Sequence, residues 1–188
     1  MNEAALKLLQ QRNACAKLTS PGPDEEQLQE IFKAAVRVPD HAGLKPWFFI
    51  TIEGDARIKL GELFILAREQ NGEVLDAQQQ QKIRQQPLRA PLIIAVAANV
   101  QEHAKVPDIE QILSAGCAAE HILLAAEALG FGAIWRTGDM AFDDLVQDGL
   151  GLEQHQMLIG FLYIGTKDKE DKTVMETDIH QYVRAWGV

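Results

Sequence analysis

Apolar and polar positions fall into blocks along this chain, and each change of period marks an element. Residues 2–12 place Ala5, Leu8, Leu9 and Arg12 at helical spacing. TSPGP at 19–23 breaks that pattern. Asp24, three residues before Gln27, reads as a capping box. It opens a second helix with Leu28, Ile31, Phe32, Ala35 and Val36 on one stripe. Pro39 stops that helix, because the residue before a proline avoids the α region. WFFITI at 47–52 reads as a buried strand. Helical patterns follow at about 55–69 and 73–85, and QQQQ at 78–81 gives the second a solvated face. Pro87 and Pro91 bracket a break before PLIIAVAANV (91–100), an apolar strand with too few polar positions for an exposed face.

The longest helical segment runs from Asp108 to Gly130, with Gly130 as its C-cap. Apolar residues cover most of its circumference, which predicts a helix buried all round. One small domain hardly supplies that much cover, so a partner subunit would help. FGAIWRT (131–137) reads as a third strand, 141–149 as a short helix and HQMLIGFLYIGT (155–166) as a fourth strand. KDKEDK (167–172) is a solvated turn by composition. TVMETDIHQYVRAWGV is apolar without a clear period, as expected of an arm that wraps over a neighbour. Without repeats or a linker, residues 1–188 read as one α+β domain.

Composition narrows the function classes. The chain has 188 residues and a formal net charge of -9. That balance argues against general nucleic-acid binding, which needs a basic footprint. It leaves room for a small anion held by a local pair of arginines. Cys15 and Cys117 are too few for a disulfide framework, and they lack the spacing or histidine company of a zinc site. The N-terminus carries acid and base too early for a signal-peptide core, and no apolar run is long enough to span a bilayer. The expectation is a soluble cytoplasmic protein with no membrane partner.

Three clusters carry polar groups that core building does not need. Arg12-Asn13-Ala14 ends the first helix, where an arginine could hold a phosphate or simply face its own helix C-terminus. Arg37 and His41 stand four apart on a loop pinned by Pro39 and Pro46, well placed to address a planar, acceptor-rich ligand. Asp40 between them could just cap a following turn. Trp135, Arg136 and Thr137 end the third strand, a place where ligands often sit. Glu120-His121, mid-helix, reads either as a paired couple or as a seam feature, and a satisfied structural histidine is the simpler reading. No GxSxG, HExxH or Walker segment is present. With no protein nucleophile, catalytic acid-base pair or metal site, chemistry falls to a bound cofactor.

The order of these clusters resembles the nitroreductase family of FMN-dependent NAD(P)H oxidoreductases, and within it the small YdjA-like bacterial members. The family's Arg-Arg-Ser motif corresponds to Arg12-Asn13-Ala14, and its A-P-S-S-x-N-x-Q-P-W loop to VPDHAGLKPW. The small subgroup's R-x-P-D-H matches Arg37 to His41. APLIIAVAA, SAGCAAEHILLAAEALGFGAIWRTG and IGFLYIGT follow in the family's order. The resemblance implies a mainly antiparallel central sheet flanked by helices, in an intertwined homodimer with FMN at its interface. It implies that Arg12 holds the FMN phosphate, with Asn13 and Ala14 at the next two positions contributing backbone groups, and that Arg37 and His41 reach the flavin from the partner chain. Trp135, Arg136 and Thr137 would complete the cofactor site. The implied reaction passes a hydride from NAD(P)H through FMN to a nitroaromatic, quinone or similar conjugated acceptor. Arg12, Lys17 or Arg37 would stabilise the charge of reduced flavin. Because Asn13 and Ala14 depart from the motif, a flavin-binding or sensing dimer with little turnover is the alternative.

Overall fold

The computed structural model describes residues 2–169 and 173–187. The described residues form α1 (Glu3–Gln11), β1 (Leu18–Thr19), α2 (Glu25–Ala35), β2 (Trp47–Glu53), α3 (Ala56–Gln70) and α4 (Ala77–Arg84). They continue with β3 (Leu92–Asn99), α5 (Asp108–Ala128), β4 (Gly132–Arg136), α6 (Asp144–Gly149) and β5 (Gln156–Lys167). The α+β reading holds, with four strands where the sequence placed them. β1 is an addition: two residues, partly within the segment expected to break the chain, paired with Thr166 and Lys167 of β5.

Every strand pair is antiparallel. β3 and β4 both pair with residues 161–164 of β5, so they occupy its opposite edges, and β2 lies outside β3. β5 is therefore the centre of the sheet. Its twelve residues bring no charge before Lys167, as a strand covered on both faces requires. Strand periodicity divides β3 between two cores. Ile93, Ala95 and Ala97 face α3, α4 and α6, packing with Phe64, Val146 and Phe161. Leu92, Ile94 and Val96 face α2 and α5, packing with Ile31, Ala119 and Ile122.

Local chemistry sets the helix ends. Asp24 and Gln27 form the predicted capping box. The helix expected over 73–85 begins only at Ala77, where Asp76 and Gln79 form a second box. The segment expected as one helix at 141–149 splits into a 3₁₀ turn at Asp139–Ala141 and α6, capped by the Asp143 side chain. Gly130 ends α5 at φ 88°, which a residue with a Cβ rarely adopts. An ion pair between Arg84 and Glu62 ties α4 to α3 and holds the Glu62 carboxyl below the usual carboxylate range.

Helix α5 is not buried all round within one chain. Ile109 and Leu113 are 57% and 61% exposed, and Cys117 continues their stripe. A helix laid on a sheet covers one face, and here small residues (Ala115, Ala118, Ala119, Ala126) let it lie close. The C-terminal residues pack little on their own chain, with Tyr182 and Trp186 76% and 97% exposed. Of the predicted turn at 167–172, Lys167 instead belongs to β5, and 170–172 lie outside the described residues.

Between β3 and β5 the register shifts at Val96/Ala97, leaving Ile159 as the extra residue of a bulge next to Gly160. A Cβ on Gly160 would collide with the Trp135 indole nitrogen and approach the Arg136 carbonyl. The glycine therefore makes the space in which Trp135 seats. Gly160→Ala should lower stability by about 1–3 kcal/mol, as overpacking does. A reduced denaturant midpoint would register this, and an unchanged midpoint would show that the indole does not need the space.

Candidate active site

The loop at 38–46 is built, not merely turned. Asp40 accepts backbone hydrogen bonds from Leu44 at 3.0 Å and Lys45 at 2.8 Å. This carboxylate clamp holds a loop in which Ala42, Gly43 and Lys45 all have positive φ, at 63°, 69° and 53°. Two of the three carry a Cβ, so the backbone is strained and needs its surroundings to hold it. Those surroundings are bonded in turn. Ser114 Oγ donates to the Pro39 carbonyl at 2.8 Å, and Gln101 Nε2 donates to the Leu44 carbonyl at 2.8 Å. Gln101 is itself held, because buried Gln111 bonds both its backbone N–H and its carbonyl. His41 Nδ1–H donates to Glu110 Oε2 at 2.6 Å, which leaves Nε2 as the free ring nitrogen. Arg37, at the end of α2, is exposed and makes no ion pair among the described residues.

Arg12 ends α1 with its backbone N–H bonded to the Leu8 carbonyl. Its Nε lies 3.2 Å from Glu120 Oε1. The two terminal guanidinium nitrogens make no hydrogen bond among the described residues, so they remain as a pair of donors. Asn13 is half-buried and Ala14 exposed. The Cys15 N–H donates to the Ala133 carbonyl at 2.9 Å, which draws the whole Arg12-Asn13-Ala14 segment beside β4. Glu120 and His121 do not pair with each other. Glu120 faces Arg12, and His121 Nδ1 bonds the Ala34 carbonyl at 3.0 Å, as a structural histidine does.

Trp135 and Arg136 point to opposite faces of the sheet. Trp135 packs in the core on the α5 side and donates from Nε1 to the Ile159 carbonyl at 3.2 Å. The Arg136 guanidinium lies over the Tyr163 ring on the α3 side, 5.7 Å from its centroid. Thr137 follows the strand and is exposed.

Thus the first and third clusters come together, while the second stands apart. Glu110 and Glu120, the anchors of His41 and Arg12, are ten residues apart on α5. That separates them by about 15 Å along the helix axis. One chain thus carries the two clusters along the same helix, with the exposed Leu113 and Cys117 between their anchors and Ile109 continuing that stripe. The supporting residues Ser114, Gln101 and Gln111 carried no sequence signal, since isolated polar residues near a helix start are common.

The sequence signature of the nitroreductase family matches residues 9–166. An Escherichia coli K12 protein named "Putative NAD(P)H nitroreductase YdjA" is 41% identical over 172 residues, covering 90% of this chain and 91% of that protein. A "Putative NAD(P)H nitroreductase" of Haemophilus influenzae is 36% identical over 183 residues, covering 95% and 97%. Among solved structures, a nitroreductase-like family protein from Bacillus cereus superposes with a TM-score of 0.84 at 22% identity, covering 97% and 96% of the two chains. The FMN-dependent nitroreductase NfnB of Mycobacterium smegmatis, solved with NADPH, gives 0.76 at 18% identity, covering 97% and 98%. At those identities the superpositions speak for the fold, and the signature and the closer relatives speak for the lineage. The chain belongs to the nitroreductase family.

Proposed function

We propose that this chain is an FMN-dependent NAD(P)H oxidoreductase that works as a homodimer and reduces nitroaromatics, quinones or similar conjugated acceptors. The observation that carries the reading is the clamped 38–46 loop. It presents the free nitrogen of His41, whose anchor Glu110 lies about 15 Å along α5 from Glu120, the anchor of Arg12, and unpaired Arg37 directly precedes it. Two chains joined along the exposed α5 stripe would bring the first cluster of one to the second cluster of the other. That would also cover Ile109 and Leu113.

The donor set fits FMN. The terminal nitrogens of Arg12 suit a phosphate, and Glu120 holds the guanidinium in place through Nε while adding an opposing charge nearby. Arg37 and His41 would reach the ring system from the partner. Trp135 and Thr137 would line it from the α5 side, with Arg136 contributing backbone only, since its side chain lies on the other face. When bound, FMN supplies hydride transfer between NAD(P)H and the acceptor. The protein's own part is to bind, orient and stabilise negative charge on the reduced ring through Arg37 or Lys17.

Purified protein carrying FMN should sediment as a dimer and oxidise NADH or NADPH when a quinone is added. A flavin-loaded protein that does not turn over would instead support a binding or sensing role, and a monomer holding FMN tightly would contradict the shared site. Arg12→Ala should weaken FMN binding by about 2 kcal/mol, the loss of a charge-assisted contact. Fluorescence titration measures this, and unchanged affinity removes Arg12 from the site. Asp40→Ala should release the strained loop, lowering FMN affinity and turnover while far-ultraviolet circular dichroism stays native. Full activity in that variant would show that the clamp is dispensable.

A further inference from the structure

The 38–46 loop carries one imidazole, and Glu110 is the side chain that bonds it. His41 Nδ1 lies 2.6 Å from Glu110 Oε2, a contact that joins residues 69 apart in sequence. The adjacent carboxylate is engaged elsewhere, because the two oxygens of Asp40 take the Leu44 and Lys45 N–H groups. Ser114, one turn further along α5, gives its hydroxyl to the Pro39 carbonyl. Among the described residues, Glu110 therefore addresses the ring alone.

An acid in the first turn of a helix is favourable for the helix dipole by itself, so the position of Glu110 on α5 needs no ligand to explain it. Its contact is more specific. The His41 and Glu110 side chains are 55% and 45% exposed, and a pair in that setting adds little to folding. What the pair adds is direction. A hydrogen bond at one ring nitrogen decides which nitrogen carries the proton. With Nδ1–H given to Glu110, the neutral ring keeps Nε2 as a bare acceptor. Asp40, Ser114 and Gln101 fix the backbone that bears the ring, so the imidazole is held at its root and at one edge. The pair borders a hollow of about 220 Å³, which it shares with Leu113, Ser114 and Cys117.

We infer that Glu110 is a positioning residue of the cofactor site. It fixes His41 as the Nδ1–H tautomer, so the ligand group that His41 meets is a hydrogen-bond donor and not an anion. The ligand's identity rests on the flavin reading above. FMN carries two kinds of donor, its ring N–H and its ribityl hydroxyls, while its ionised phosphate carries none. The division of labour follows. The Arg12 fork takes the phosphate, and His41 takes a neutral donor. Without Glu110 the ring is free to protonate Nε2, which would offer that donor a second donor.

The test has two readouts on the full chain at alkaline pH, where imidazoles are neutral. Imidazole nitrogen-15 shifts of the flavin-free protein separate the two tautomers, and His41→Asn identifies the His41 signals. Wild type should be protonated at Nδ1 and bare at Nε2. Glu110→Gln should match it, because the amide oxygen still accepts, and Glu110→Leu should lose the preference. FMN affinity by fluorescence titration should follow the tautomer, within about twofold of wild type for the Gln variant and about fivefold weaker for Leu, in the range of one neutral hydrogen bond. FMN methylated at its ring N–H tells the two donors apart, binding like FMN if a ribityl hydroxyl is the partner and more weakly if the ring N–H is. A wild-type ring protonated at Nε2 overturns the inference. So does a Leu variant that keeps the tautomer or the affinity, or a Gln variant as weak as Leu, which would make charge the deciding property. A chain that binds no FMN overturns the flavin reading and the ligand half of the inference, while the tautomer still decides the role of Glu110.

Discussion

Helix α5 is the member on which the remaining structure depends. One side of it seals the core through Ala119, Ile122 and Ala126 against β3 and β5. The polar residues along it then hold several segments that are far apart in sequence. Glu110 holds His41, Ser114 holds the Pro39 carbonyl, Glu120 holds Arg12, His121 holds the end of α2 and Glu127 holds Lys167 at 2.7 Å. An α-helix is rigid over this length, so it fixes the spacing of segments that are far apart in sequence. Its third side, with Ile109 and Leu113, is largely exposed among the described residues.

The strained loop and the helix explain each other. Ala42 and Lys45 with positive φ would relax in an isolated peptide. They persist because Asp40 binds the backbone from within, while Ser114 and Gln101 bind it from outside. Such over-determined backbone is typical of ligand clamps. Anchoring the loop from Ser114 on α5 and from Gln101 keeps its backbone fixed within one chain.

Charge follows the same division. The chain is acidic overall, and several of its arginines are neutralised by neighbours, as Arg84 is by Glu62 and Arg68 in part by Glu73. Others make no ion pair among the described residues. Of these, Arg37 stands exposed just after α2, while Arg89 and Arg136 line a cleft across the sheet. Partial neutralisation of Arg12 by Glu120 sits between these cases, and it leaves the terminal nitrogens available.

Much of this was legible in the sequence, for physical reasons that act locally. Periodicity located the main strands and helices, since burial of one or both faces imposes a repeat of about 2 or 3.6 residues. Asp24 with Gln27 and Gly130 marked helix ends because capping is a contact between near neighbours. The order of the clusters carried the family resemblance. What only the tertiary structure decided is long-range. Nothing local says that Glu110 and Ser114 stand behind the loop, or that Arg136 faces away from its neighbour Trp135 toward Arg68 and Arg89. Nor does it say that the apolar circumference of α5 is covered on one side only. Those facts depend on strand register, the bulge at Ile159 and helix-on-sheet packing, where residues from distant parts of the chain meet.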